Sequence, residues 1–138
     1  MTTSRRSTIE IPGLHHGSAP FPLAVGIGGL LVSSAVHGMD PATGKVPDSL
    51  EAQTAGVFAN IRRILDAAGA DTDNIAKVTV FLAQGQPREP LNAEWTVMFP
   101  DEQDRPVRHT VPSVLQPPLL IQCEFTAVLP TRSPQEQP

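Results

Sequence analysis

Apolar residues recur at helical spacing over residues 49–68, which is the clearest pattern in the chain. The positions that would share one face of this helix are Leu50, Val57, Phe58, Ile61, Ile64, Leu65 and Ala68. Asp48 is predicted to cap the first turn, with Glu51 three residues later at the spacing of a capping box. Gly69 is suited to end the helix in a left-handed conformation. A second, shorter helix is predicted over residues 90–99.

Strand patterns fall on both sides of these helices. The predicted strands cover residues 23–27, 30–36, 75–82, 108–115 and 119–128. Gly28-Gly29 supplies a hairpin turn between the first two, and Pro112 marks a bulge or an edge position. The order of elements predicts an α+β domain, with both helices on one face of a mixed sheet. The other face is rich in Ile, Val and Leu, so we expect it to be covered by oligomerisation.

Composition fits one domain. The chain has 138 residues, of which 40% are hydrophobic, and this is enough for a single core. Residues 1–8 and 131–138 are short, polar segments that we expect to be flexible tails, which leaves residues 9–130 as the domain. The sequence has no apolar run of the roughly 18 residues that a membrane span needs, and no secretory signal pattern. We therefore expect a cytoplasmic protein that does not bind membranes.

Charge and motifs exclude several function classes. The net charge is −4 and no cluster of Lys and Arg exceeds a pair, so nucleic acid is an unlikely partner. No metal-binding, P-loop or nucleophile-elbow motif is present, and the glycine run at residues 26–29 fits a hairpin better than a phosphate loop. We expect no metal and no other cofactor, because the histidines are scattered at His15, His16, His37 and His109.

Two charged residues stand inside apolar strand segments. Arg108 lies within the β-prone residues 107–111, and Glu124 interrupts the apolar residues 119–128. Either side chain could simply face water. A strand with one face in the core and the other in a cleft would produce the same pattern.

Several motifs, in the same order along the chain, resemble the RidA/YjgF family. Asp40-Pro-Ala-Thr-Gly-Lys-Val46 is similar to the family's DPATG loop. The most specific match is Arg105-Pro-Val-Arg-His-Thr-Val111, which resembles the family's RPARSTV segment. Further matches are Glu51-Ala-Gln-Thr54, Leu65-Asp-Ala-Ala-Gly69, Lys77-Val-Thr-Val-Phe-Leu82 and Cys123-Glu-Phe-Thr-Ala-Val128. Together the matches cover about residues 18–129.

The resemblance implies a chorismate-mutase-like fold and a homotrimer with three clefts between subunits. It also implies hydrolysis of reactive 2-imino and 2-enamino acids to 2-keto acids and ammonia. Arg108 matches the arginine that grips the substrate carboxylate. Glu124, if one residue is inserted in the preceding loop, matches the glutamate that helps to position the attacking water. Ser34 and Thr110 fall at further substrate-binding positions of the family.

Departures from the family pattern change the expected pocket. Phe21 stands where active deaminases usually have tyrosine, and His37 lies in a segment that has lost the family's glycine and glutamine. We expect both side chains to line the pocket and to favour imines with larger or more apolar side chains. The alternative is a non-catalytic relative that binds small carboxylates or acts as a regulator or chaperone. An endoribonuclease is less consistent with the negative net charge.

Overall fold

The computed structural model describes residues 5–130, and these fold into a six-stranded mixed sheet with two helices. The strands are β1 (Arg6–Ile9), β2 (Ala24–Ile27), β3 (Leu30–Ser33), β4 (Ile75–Ala83), β5 (Val107–Ser113) and β6 (Ile121–Val128). The helices are α1 (Leu50–Ala67) and α2 (Glu89–Met98), and a 3₁₀ turn (Thr72–Asn74) precedes β4. The sheet order is β1-β2-β3-β6-β4-β5, in which only β4 and β5 run parallel. The predicted α+β class with a mixed sheet is confirmed.

Helix α1 begins one residue later than the sequence suggested. Ser49, not Asp48, is the N-cap residue, and its Oγ accepts a hydrogen bond of 3.1 Å from the backbone N–H of Ala52. Glu51 then lies at the second helical position, so the predicted capping box does not form. The other end agrees with prediction, because Gly69 follows the last turn with a φ of +74°.

Strand β1 was not predicted from the sequence. Its residues pair antiparallel with β2, although residues 6–8 were expected to belong to a tail. An edge strand is held mainly by backbone hydrogen bonds to one neighbour, so it needs few apolar side chains and leaves little periodic signal. Of the predicted tails, residues 1–4 and 131–138 lie outside the described part of the chain.

The end of another predicted strand differs from the observed one by a few residues. The predicted strand over residues 30–36 ends at Ser33, and Val36 forms only an isolated bridge with Cys123. The hairpin turn at Gly28-Gly29 is confirmed, with positive φ angles at both glycines. Pro112 does lie on an edge strand, β5, where its missing N–H disrupts no central pairing.

The core lies between the helices and one face of the sheet. Along β6 the buried residues alternate with partly or fully exposed ones, and the buried set is Ile121, Cys123, Phe125 and Ala127. Helix α1 contacts both β6 and α2. Apolar residues that point to the opposite face, which no helix covers, are Val25, Ile27, Leu30, Val32, Phe81 and Val128.

Gln53 ties α1 to the loop that leads into β6. Its buried amide donates hydrogen bonds to the carbonyls of Pro47 (2.8 Å) and Pro118 (2.9 Å). Its Oε1 accepts a third from the N–H of Leu120 at 2.8 Å. The glutamine of the Glu51–Thr54 motif therefore has a structural role. Neither helix in the described residues is long and apolar enough to cross a membrane.

Candidate functional site

Arg108 is held on the helix-bearing face of the sheet by α2. In the parallel pairing of β5 with β4 it lies beside Val78, which is buried in the core. Its Nη2 donates a hydrogen bond of 2.9 Å to Oδ1 of Asn92. Its guanidinium carbon lies 5.0 Å from the ring centroid of Trp95. The contact with an aromatic face and the hydrogen bond together fix the plane of the guanidinium.

The surroundings of Arg108 make an anion a favourable neighbour. Partial burial lowers the pKa of Arg108, and the nearby guanidinium of Arg88 lowers it further, while Cys123 acts in the opposite direction. Within residues 5–130, no carboxylate lies within ion-pair distance of Arg108. A partly desolvated cation beside a second cation is stabilised when a negatively charged group binds to it.

Cys123 is a buried free thiol that interacts electrostatically with Arg108. Burial raises its pKa to about 12, and the opposing effect of Arg108 is smaller. At neutral pH the thiol is therefore protonated, and Cys123 is a core residue and not an activated nucleophile.

Thr110 lies two residues beyond Arg108 on the same face of β5, as its pairing with buried Val80 shows. It lines a cavity of about 140 Å³ at the start of α2. The other lining residues are Leu82, Ala83, Gly85, Gln86, Arg88 and Pro112. The structure therefore places Thr110, Arg88 and Arg108 in one neighbourhood.

Glu124 lies on the other side of the sheet. It pairs with Thr79 of β4, whereas Arg108 pairs with Val78, and successive residues of a strand point to opposite faces. Glu124 is exposed and lines a second recess, of about 160 Å³, together with Lys77 and Thr79. One chain therefore does not bring Glu124 and Arg108 together.

The remaining predicted residues lie around β3 and the loop before β2. Ser34 donates its hydroxyl to the carbonyl of Leu23 at 3.0 Å. Phe21 is 53% exposed and its ring stacks on His16, with centroids 6.4 Å apart. Within the described residues, no hydrogen bond or ring contact joins Ser34 or Phe21 to Arg108.

His37 is half-buried after the end of β3. Burial lowers its pKa, and its Nδ1 is buried without a hydrogen-bond partner in the described structure. Its carbonyl accepts a hydrogen bond of 2.8 Å from the amide of Asn60. His16 forms an ion-pair contact of 3.1 Å with Glu10 instead of meeting the other histidines. No group of three potential metal ligands converges anywhere in residues 5–130.

Three residues around Arg108 were not singled out from the sequence as site residues: Arg88, Asn92 and Trp95. They stand at spacings of four and three residues at the start of and along α2, so they fall on one side of the helix. That spacing was a usable signal. The charged Arg88 and two possible partners of a guanidinium, Asn92 and Trp95, share a side of the helix that is otherwise apolar.

Comparison with known proteins identifies relatives of this chain. A family model described as endoribonuclease L-PSP matches residues 15–129. A RutC family protein of Aquifex aeolicus is 33% identical over 109 residues, which cover 79% of this chain and 86% of that protein. The 2-iminobutanoate/2-iminopropanoate deaminase of Escherichia coli is 30% identical over 80 residues, which cover 58% of this chain and 62% of the enzyme.

Solved structures show the same fold. YyfA of Yersinia pestis, a Rid-family protein of unknown function, superposes with a TM-score of 0.81 and 28% identity, covering 90% of this chain and 99% of its own. The yjgF gene product of Escherichia coli gives a TM-score of 0.78 at 27% identity, covering 88% and 98%.

Proposed function

The chain belongs to the RidA/YjgF family, also described as endoribonuclease L-PSP, and we propose that it hydrolyses reactive 2-imino and 2-enamino acids to 2-keto acids and ammonia. The proposal rests on the orientation of Arg108 and on its lack of a carboxylate partner in residues 5–130. Its guanidinium is oriented by Asn92 and Trp95, and no carboxylate of residues 5–130 pairs with it. A guanidinium held in this way can bind a substrate carboxylate through two parallel hydrogen bonds.

The reaction needs little besides positioning. The carbon of a protonated imine is already electrophilic, so water can add to it without a covalent nucleophile. As the water oxygen forms a bond to carbon, the C–N π bond breaks and its electron pair moves to nitrogen. The nitrogen takes up one proton of the water and the remaining C–N bond breaks. The oxygen then loses its second proton, which gives the 2-keto acid, ammonia and the proton that the imine carried. Fixing the carboxylate on Arg108 holds the imine carbon in one place, which makes attack by a bound water effectively intramolecular.

Glu124 is proposed as the group that positions this water and exchanges protons with it. Because Glu124 and Arg108 lie on opposite faces of the sheet, they can share a site only if they come from different protomers. The proposed homotrimer, with clefts between subunits, supplies that arrangement. Ser34, Thr110, Phe21 and His37 are proposed to line the same clefts.

The second candidate function is carboxylate binding without turnover. The separation of Arg108 from Glu124 within one chain favours it, since Arg108 alone can hold a ligand but no carboxylate of residues 5–130 lies at ion-pair distance from it. Such a protein would act as a sensor or regulator. An endoribonuclease is not proposed, because a chain of net charge −4 has a poor surface for a phosphate backbone.

The test measures turnover and binding with the same variants. An amino-acid oxidase generates the imine, and keto-acid formation is followed with and without the protein. We expect Arg108→Ala to reduce kcat/KM about 30- to 1000-fold, equivalent to roughly 2–4 kcal/mol, through loss of the charge-assisted pair. Arg108→Lys should recover only part of this, because an ammonium group lacks the planar fork.

The matched control is Arg62→Ala, which removes an exposed arginine from α1. It should leave turnover and binding unchanged. No acceleration by the wild-type protein, combined with 2-keto-acid binding that Arg108→Ala abolishes, would favour the binding function. Unchanged turnover and unchanged binding in folded Arg108→Ala would refute the assignment of the site.

A further inference from the structure

Arg88 is a second cation beside the proposed carboxylate site. It is the residue immediately before α2, and its side chain makes no capping hydrogen bond to the helix. It is exposed and lies close enough to Arg108 to lower the pKa of that guanidinium. Within residues 5–130, no carboxylate, including that of neighbouring Glu89, lies within ion-pair distance of Arg88.

The space next to Arg88 suits a small polar group. Arg88 lines the cavity of about 140 Å³ that Thr110 and Gln86 also border. This volume is several times the roughly 30 Å³ that one water molecule occupies in the liquid. The cavity therefore has room for a short part of a ligand that ends in a carboxylate. Helix α2 begins at the residue after Arg88, so the positive end of its dipole lies next to Arg88.

Two guanidinium groups without carboxylate partners repel one another, and a single carboxylate can neutralise only one of them. A ligand with two acidic groups neutralises both, because one group can pair with Arg108 while the other enters the cavity beside Arg88. We propose that Arg88 is a specificity residue that binds a second acidic group of the substrate, so that imines of dicarboxylic amino acids are preferred. This inference rests on the proposed function for its reaction, but it concerns binding and can be tested without turnover.

The proposed preference also refines the expectation for the pocket that Phe21 and His37 change. Phe21 and His37 led us to expect imines with larger or more apolar side chains. The pair of arginines selects, among the larger substrates, those that carry a negative charge.

The experiment compares two imines made in situ, the imine of glutamate as the diacid and the imine of 2-aminobutyrate as the monoacid. We expect the wild-type protein to favour the diacid in kcat/KM. Arg88→Ala should lower the diacid-to-monoacid ratio about 10- to 100-fold, the effect of one charge-assisted hydrogen bond. Arg88→Lys should retain part of the preference, because charge without the planar fork still attracts a carboxylate.

Two control variants make the result specific. Arg108→Ala should weaken both substrates and leave their ratio nearly unchanged, and Arg62→Ala should change neither. A wild-type protein without diacid preference, or an Arg88→Ala variant that keeps the ratio, would overturn the proposal.

A binding measurement separates this inference from the proposed function. Calorimetry with 2-oxoglutarate and 2-oxobutyrate replaces the imines by stable keto acids with and without the second carboxylate. If no imine is turned over but 2-oxoglutarate binds more tightly and loses that advantage in Arg88→Ala, the deaminase proposal fails and the role of Arg88 stands. Equal affinities for both keto acids would refute the role of Arg88 whatever the enzyme assay shows.

Discussion

Arg108 is constrained by α2 in a way that leaves its donors available. The ring of Trp95 lies against the guanidinium, while the N–H donors of an arginine lie in the guanidinium plane. Only the hydrogen bond to Asn92 is formed by these donors within the described residues. The remaining donors can therefore form a two-bond fork with a carboxylate. In the proposed reaction Trp95 and Asn92 would be positioning residues, because they contact Arg108 and would act on the substrate only through it.

The lowered pKa of His37 predicts that acid destabilises the folded protein. Burial lowers its pKa from the ordinary value of 6.5, so the unfolded chain takes up a proton at higher pH than the folded chain does. The stability from a neutral His37 is fully present above pH 6.5 and is lost as the pH falls through the folded pKa. We expect the Tm to fall from pH 7 to about pH 5, and to fall less in His37→Gln.

Thermal denaturation at a series of pH values checks this. His15→Gln, at an exposed position, is the control and should keep the wild-type slope. A His37→Gln variant with the same pH dependence as the wild-type protein would show that the acid sensitivity arises elsewhere.

The sequence predicted individual site residues where a local pattern exists. Arg108 stood out because it is a charge inside a β-prone segment and falls in a family motif. Asn92 was not identified. Its spacing from Arg88 and Trp95 puts the three residues on one side of α2, but nothing in the sequence shows that this side meets β5. That contact spans sixteen residues and depends on how the helix packs after crossing the sheet. The opposite orientations of Arg108 and Glu124 became clear only with the register of β4 against both neighbours.

At the scale of elements, those that bury a full face were predicted, whereas the edge strand β1, which is held mainly by backbone pairing, was not. Helix α1 and strands β4 and β6 carry periodic apolar residues that the core needs. Strand β1 is held mainly by backbone pairing with β2, which sequence periodicity does not record. The start of α1 was ambiguous by one residue because Asp and Ser are both good N-caps.

Gly56 shows how packing between elements reverses a local preference. A Cβ atom at Gly56 in α1 would lie 2.6 Å from the carbonyl oxygen of Gly38, in the loop after β3. Alanine gains about 1 kcal/mol over glycine in a helix, but here the obstacle is backbone and cannot rotate away. We expect Gly56→Ala to lower the free energy of unfolding by about 1–3 kcal/mol, as overpacking does.

Urea unfolding measures this difference. Ala55→Gly, at the exposed neighbouring position, calibrates the helix preference alone and should cost about 1 kcal/mol. If Gly56→Ala increased the unfolding free energy, the approach of the loop to α1 would not limit packing.

At the scale of the whole molecule, the face of the sheet without helices is incomplete in a single chain. Leu30, Val32 and Val128 are exposed there, next to the half-buried ring of Phe81. Exposed apolar surface costs about 25 cal/mol for each Å², so covering this face by other copies is favourable. The same face carries Glu124. A homotrimer joined through it would place Glu124 at the boundary between subunits.

The shared cleft makes a quantitative prediction for mixed trimers. Arg108→Ala and Glu124→Gln should each form trimers of about three times the 14.7 kDa chain mass, measured by light scattering, and each should be nearly inactive alone. The two variants are then co-expressed with different affinity tags and purified together. If each site takes Arg108 from one protomer and Glu124 from its neighbour, some sites in mixed trimers contain both native residues. Each mixed trimer then has one complete site among its three, so trimers purified through both tags should show about a third of wild-type activity.

Complementation distinguishes the shared site from its alternatives because no other arrangement restores activity. If both residues acted within one chain, every site in a mixed trimer would lack one of them, and activity would stay at the level of the single variants. A doubly substituted chain, Arg108→Ala with Glu124→Gln, mixed with Arg108→Ala is the matched control, since that combination contains no native Arg108. Recovery in the first mixture and none in the control would place Arg108 and Glu124 on different protomers of one cleft, as their opposite orientations in the sheet require.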